Sequence, residues 1–180
     1  MIFFTADSHF GHARIIPLCN RPFADVTEMD ETMIRRWNEV VSPDDEVWHL
    51  GDFAFYRDAR AESVFWRLNG RKSLIIGNHD EDNAAVLALP WQRVEKYVLV
   101  KVEGEPVFLC HYPMLSWPKF SKGAIHLYGH MHGLFAATRS AADMGVDVWD
   151  FRPQSMEAIR RRLKASKPMA TVAQGAGEEE

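Results

Sequence analysis

Five short polar segments, Asp7-Ser8-His9, Gly51-Asp52, Gly77-Asn78-His79-Asp80, His111 and Gly129-His130-Met131-His132, each stand at or just beyond the end of an apolar, strand-like run. Residues far apart in the chain can therefore meet along one edge of a sheet. In an extended chain, residues two apart project to the same side, so Asp7 with His9, and His130 with His132, can each aim two donors at one small volume. Glycine precedes three of the segments, where the backbone can turn sharply or approach an ion without a Cβ in the way.

The donors are Asp7, His9, Asp52, Asn78, His111, His130 and His132. A structural zinc site is satisfied by four ligands, usually rich in Cys, and excludes water. Oxygen and nitrogen ligands in this number, with almost no sulfur, point instead to two metals and hydrolytic chemistry. Asp52 has two carboxylate oxygens and lies between the other segments in the chain, which suits a bridge between ions about 3.5–4 Å apart. A water shared by two cations loses a proton near neutral pH and becomes the expected nucleophile on a phosphoester. His79 is not needed to complete either coordination sphere, so it is the candidate general acid for the leaving oxygen. Asp80 has two readings: it orients and charges the His79 ring, or it caps a helix beginning near Glu81.

The order Asp-x-His, Gly-Asp, Gly-Asn-His-Asp, His, Gly-His-x-His resembles the calcineurin-like metallophosphoesterases, and the match runs from Asp7 to His132 without a missing ligand. The chain is most similar to the small, uncapped bacterial and phage members, in Thr5 to His12, in Cys19-Asn20-Arg21-Pro22-Phe23 and in Gly145-Val146-Asp147-Val148-Trp149. The resemblance implies that Asp7, His9, Asp52 and His132 hold one metal, and that Asp52, Asn78, His111 and His130 hold the other. It implies a phosphoric ester hydrolase using two divalent ions, manganese first, with iron, zinc, cobalt or nickel as alternatives. Nothing in the chain is long enough to form a cap enclosing a small monoester, so a phosphodiester is expected. A phosphomonoesterase or nucleotide pyrophosphatase is the nearest alternative. Relatives such as a retromer subunit keep the fold as an interaction scaffold, but a scaffold has no need of His79.

Arg21, in a Pro-containing loop soon after the first segment, is a candidate phosphate contact because its fork suits phosphate. His12, in a glycine turn beside the same segment, is a candidate for substrate or the outer metal shell. His49 and His126 sit in or near apolar strands and read as hydrogen-bonded core residues. The six Trp residues read mostly as core, with the substrate entrance as an alternative place for Trp117.

At 180 residues the chain suits one domain with a sizeable core, set at residues 1–165, and the Ala-, Gly- and Glu-rich residues 166–180 read as a disordered tail. The net charge of −4 argues against an extended nucleic-acid-coating surface, although a nucleotide or a nucleic-acid end remains a candidate substrate. No protein partner can be named. No apolar run reaches the about 18 residues that span a bilayer, and the chain starts in a strand without a charged lead, as expected of a cytoplasmic protein. Cys19 and Cys110 are too few for a disulfide framework.

The expected strands are residues 2–6, 47–50, 73–76, 98–100, 107–109, 125–128 and 146–149, with a hairpin turn at residues 103–106. Helices are expected over residues 11–18, 27–41, 58–68 and 155–164. Strand–helix alternation followed by a strand-rich half indicates an α/β protein, a four-layer αββα sandwich of two packed mixed sheets flanked by helices.

Overall fold

The computed structural model describes residues 1–169. Four parallel strands, β1 (Ile2–Thr5), β2 (Glu46–His49), β3 (Arg71–Ile75) and β4 (Val94–Glu95), form one sheet in the order β4-β3-β2-β1, closed by antiparallel β9 (Gln154–Ser155). The second sheet runs β5 (Tyr97–Val102), β6 (Glu105–Cys110), β7 (Ile125–Tyr128) and β8 (Ala141–Asp143), with β5 antiparallel to β6 and the rest parallel.

The first sheet is apolar on both faces, which is why its strands read as continuous runs. Phe3, Val47 and Leu74 face outward against Met29, Met33 and Trp37 of α2 (Val26–Val40) and Ala61, Val64 and Phe65 of α3 (Ala59–Arg67). Phe4, Trp48 and Ile75 face inward against Val107, Leu109 and Leu127 of the second sheet. Met156, Ile159 and Leu163 of α5 (Met156–Ala165) join that inner core. The outer face of the second sheet, with Phe108, Cys110 and Tyr128, is covered by Trp117 and Ala124 from the segment after β6. This is the two-sheet α/β arrangement expected from the sequence, and it brings the ends of β1, β2, β3, β6 and β7 together.

Helix boundaries follow local chemistry. Asp25 accepts from the Glu28 amide at 2.9 Å to start α2, a cap worth about 1 kcal/mol. After α3 the chain reverses at Gly70, whose φ of 86° fits the Asn69-Gly70 signal.

Several elements differ from expectation. Helix α1 is shorter, Ile15–Leu18, with Arg14 at its N-cap and the His12 ring accepting from the Ile15 amide at 3.0 Å. Helix α4 (Ala84–Leu87) starts beyond Glu81, with Asn83 at its cap, so Asp80 caps no helix. Strand β8 falls where no strand was expected. Residues 146–148 form a 3-10 turn rather than a strand, since the Ala6–Gly145 bridge pins the chain beside β1 and the turn then carries Asp147 to the sheet edge. The described part of the expected tail is tied down: Arg139 donates its amide to Lys167 O at 2.9 Å, and Met169 packs on the outer core. The rest of that expectation lies outside the described residues. Among the described residues no helix is long and apolar enough to cross a membrane.

Candidate metal centre

The strand-end loops are bonded to one another before any side chain is considered. The Asp7 amide donates to Gly51 O at 2.9 Å, His9 N to Asp52 O at 3.0 Å, and Gly129 N to His111 O at 2.9 Å. The His130 amide donates to both Asp7 oxygens, at 3.0 and 2.9 Å, which ties the second sheet to the first. The His79 amide donates to Asp52 Oδ1 at 2.9 Å. Space is equally determined: a Cβ on Gly51 would collide with the His111 ring and the Gly77 backbone, and one on Gly77 would meet the Asp52 carboxylate.

Five of the seven expected ligands sit in the left-handed region: Asp7 (φ 55°), His9 (51°), Asp52 (59°), His130 (71°) and His132 (46°). Non-glycine residues rarely adopt it, although Asp and His tolerate it better than most. Such conformations persist only where surroundings over-determine them, and they cluster at functional sites.

The donor atoms form overlapping groups. Asp7, His9 and His132 make one, and Asp52, His111 and His130 make another, each with donors within 4.8 Å of one another. Asp52 Oδ2 lies 3.6 Å from His9 Nε2 and 3.6 Å from His111 Nε2, so one oxygen faces both groups. Asn78 Oδ1 is 3.0 Å from His111 Nε2 and 2.9 Å from His130 Nδ1. Two ligands at about 2.0–2.1 Å from a common ion stand roughly 3–3.6 Å apart, so these spacings fit a divalent cation.

Ring orientations agree with that fit. His111 Nδ1 is 2.8 Å from Leu50 O, a group that can only accept, so the ring proton sits there and Nε2 keeps a lone pair toward the centre. His132 Nδ1 is likewise 2.8 Å from Asp147 Oδ2. His9 Nε2 is buried without a hydrogen-bond partner, an orphaned polar atom that a cation would satisfy.

The electrostatics point the same way. Burial, followed by Asp143 and Asp52, pushes the Asp7 carboxyl well above the usual carboxylate range. Burial and then Arg21 hold the His9 imidazole well below its ordinary value, and burial lowers His111 too. Crowded buried carboxylates facing imidazoles that resist protonation make a cavity short of positive charge.

His79 is exposed at the mouth, its ring 5.1 Å from His9, and its donor falls in a group with His9 and Asp52. It thus lies as near those donors as the expected ligands do. His12 is beside it at 6.2 Å and against Phe55 at 4.1 Å, forming a wall of the site.

Three expected roles are corrected. Asp80 is fully buried and accepts from the amides of Asp52 (2.7 Å), Phe53 (3.0 Å) and Gly77 (2.9 Å). Its oxygens clamp two ligand-bearing loops, and burial pushes its carboxyl up to about 7 despite those donors. Arg21 is buried: it donates to Asp147 at 2.8 and 3.0 Å, to Ser8 O at 3.0 Å and to Asp7 O at 2.7 Å, so its fork holds the first ligand loop rather than a phosphate. Trp117 is buried, donating to Ala124 O at 2.8 Å, and lines no entrance. His49 and His126 are core residues as read, bonded to Ser8 Oγ at 2.8 Å and to Phe108 O at 3.2 Å.

Two carboxylates escaped the sequence reading. Asp143 accepts from Gly133 N at 2.8 Å and Gly145 N at 2.7 Å. Asp147 receives Arg21 and His132 together; burial raises its carboxyl, but those two partners outweigh it and hold it below the usual range. The signal for Asp147 was an acid inside the apolar run Val146-Asp147-Val148-Trp149.

No protein-family model matches the chain. It is 31% identical to the uncharacterized protein MJ1445 of Methanocaldococcus jannaschii over 180 residues, covering 95% of this chain and 96% of that one, and it belongs to the same family. It is 29% identical to the Gene 66 protein of Mycobacterium phage L5, over 81% of this chain and 86% of that one. The crystal structure of AQ665 from Aquifex aeolicus, a protein of unknown function, has the same fold at a TM-score of 0.72 and 23% identity, covering 89% of this chain and 98% of that one.

Proposed function

We propose that this chain is a dinuclear metal-dependent phosphoesterase acting on phosphodiesters. The observation that carries the reading is Asp52 Oδ2, 3.6 Å from a nitrogen of each donor group. Asp7, His9, Asp52 and His132 would hold one divalent ion, and Asp52, Asn78, His111 and His130 the other. When bound, such ions neutralise phosphoryl oxygens and make water acidic enough to supply hydroxide near pH 7.

The chain's own residues do the rest. Leu50 O and Asp147 fix the His111 and His132 rings, Asp80 locks the Asp52 loop to the Gly77 loop, and Arg21 braces the loop of Asp7. His79 at the open mouth donates the proton that the leaving oxygen needs, a role typically worth about 10²–10⁴ in rate. Asn78, His79 and His130 are open to solvent, so both arms of a diester can leave the site. His and carboxylate donors together accept manganese, iron, zinc, cobalt or nickel.

The test is to strip the protein of metal, restore each ion in turn, and measure stoichiometry with hydrolysis of bis(p-nitrophenyl) phosphate and p-nitrophenyl phosphate. Two ions per chain, recovery on loading and a higher kcat/KM for the diester are expected, and Asp52→Asn should lower both occupancy and rate. Full activity without metal, or in that variant, would refute the proposal. Preference for the monoester would refute the diester assignment alone.

A further inference from the structure

The loops that leave two of the ligand segments carry apolar side chains out into water. Pro113, Met114 and Leu115 follow His111, and Leu134, Phe135 and Ala136 follow His132. Leu115 is 86% exposed, Leu134 80% and Phe135 53%. With Tyr128, Ala141 and Met169 they line a groove of about 500 Å³, none of whose lining residues is charged. Its loops are held in place: Gly133 N donates to Asp143 at 2.8 Å and Leu134 N to Met131 O at 2.8 Å. An apolar patch of this kind marks a contact surface rather than incidental exposure.

We propose that this groove is the subsite for an uncharged aromatic ester group of the substrate, an assignment that rests on the phosphoesterase reading. Pro113 is two residues from His111 and Tyr128 two from His130, so each is within about 7 Å along the chain of an expected ligand. The half-exposed Tyr112 ring stands beside the ligands, 4.9 Å from His130 and 5.0 Å from His111. A group seated in the groove is thus reachable by one ester arm of a phosphoryl group at the metals.

The lining selects the class of group. A nucleic-acid backbone or acidic peptide requires Lys or Arg, and the groove has neither; Lys119 and Lys122 line a separate cavity beside Gly104 and Pro106. The volume lies within the range of small-molecule sites, about 300–1,000 Å³. Phe135 offers a ring, and Met114 and Met169 offer thioethers, which make favourable contacts with aromatic edges. A nucleobase and a simple aryl alcohol share this chemistry.

Two readouts test the assignment on the full-length, metal-loaded protein. The first is kcat/KM on p-nitrophenyl phosphodiesters whose second ester is methyl, hexyl, phenyl or thymidine-5′. Phenyl or thymidine should exceed methyl by at least about tenfold, the scale of burying a ring-sized apolar group, and Phe135→Ser should bring that ratio toward one. Phenyl without thymidine identifies an aryl alcohol, and thymidine with phenyl a nucleoside, both within the proposed class. Hexyl equal to or above phenyl, or a flat series, overturns it.

The second readout needs no turnover. Diphenylphosphinate, which has no ester to hydrolyse, should shift the methyl signals of 13C-methyl-methionine at Met114 and Met169, with Met33, buried against the first sheet in α2, unmoved. Dimethylphosphinate should leave all three in place. Those shifts in a protein without esterase activity would retire the phosphoesterase reading, while activity with no shift at Met114 or Met169 would retire the groove. Concentration-dependent shifts of the same methyls without ligand would assign the groove to self-association and overturn the proposal.

Discussion

Replacing Asp147 by Asn tests whether the carboxylate found beside His132 positions the centre. The Arg21 guanidinium is fully buried, with Asp147 as its counter-charge through bonds of 2.8 and 3.0 Å. Breaking a buried pair by neutralising one partner costs about 3–5 kcal/mol. The amide oxygen can keep one of the bonds, and Asp7 O and Ser8 O still accept from Arg21, so the lower end, about 3 kcal/mol, is expected. In a domain of this size that lowers Tm by about 6–12 °C. The second effect is on His132, whose Nδ1 proton is fixed by Asp147 Oδ2 at 2.8 Å. Losing the group that orients a ligating histidine typically weakens metal binding about 10–100-fold. Thermal unfolding of metal-free protein reads the first effect, and chelator competition reads the second. A stability change under about 0.5 kcal/mol together with metal affinity within twofold would refute the positioning argument; lost stability with unchanged affinity would leave Asp147 as a structural anchor only.

His79→Ala should slow diesters with basic alcohol leaving groups by about 10²–10⁴, affect nitrophenolate release far less, and leave metal content intact; equal losses across leaving groups would exclude the proton-donor role. His49 gives a pH prediction: burial holds its imidazole down to about 3 in the folded state, against an ordinary 6.5. Its folded value is depressed, so the stability it contributes is complete above pH 6.5 and is lost as pH falls toward 3. At pH 5 that loss is on the order of 2 kcal/mol. Urea unfolding at pH 7 and pH 5 should show His49→Gln losing less stability than the parent over this interval, and identical pH slopes would contradict the assignment.

The parts of the site that were legible in the sequence are those set by local pattern. Apolar runs that end in polar clusters place ligands at strand ends whichever helices intervene, and Met29, Met33 and Trp37 show the helical spacing of α2. What could not be read depends on contacts between distant segments. Arg21 looks like a surface cation in a Pro loop until Asp147, 126 positions later, draws it inside. Asp80 looks like a partner for its neighbour His79, yet its acceptors are filled by amides 27 and 28 positions earlier and by Gly77 N. Strand β8 reads Ala-Ala-Asp, residues with low strand preference, and exists because β7 offers it a parallel edge. No local pattern signals the left-handed ligand positions, because their neighbours impose them.

Strain and charge at this edge have one physical explanation. Asp7 feels Asp143, Asp52 and Asp147 through buried space, and Arg21 is the guanidinium placed among them. Four carboxylates and one cation cannot all remain ionised in low dielectric without cost, and left-handed Asp and His residues add to it. A chain free to relax would let the loops unwind and spread these oxygens apart. The Asp80 clamp on three amides and the Arg21 bonds to Asp7 O and Ser8 O hold the loops together, so the crowding is met by the upward shift of the Asp7 carboxyl instead. The energy held in that arrangement is released to whatever positive charge binds there, so metal affinity and fold stability are linked through the same residues. Saturating an ion site at 100 times its Kd adds about 2.7 kcal/mol to stability, nearly the amount that Asp147→Asn should remove. The stability arm of that experiment therefore has to be run without metal, since ions that bind the parent more tightly than the variant would add the lost affinity to the cost of the broken ion pair.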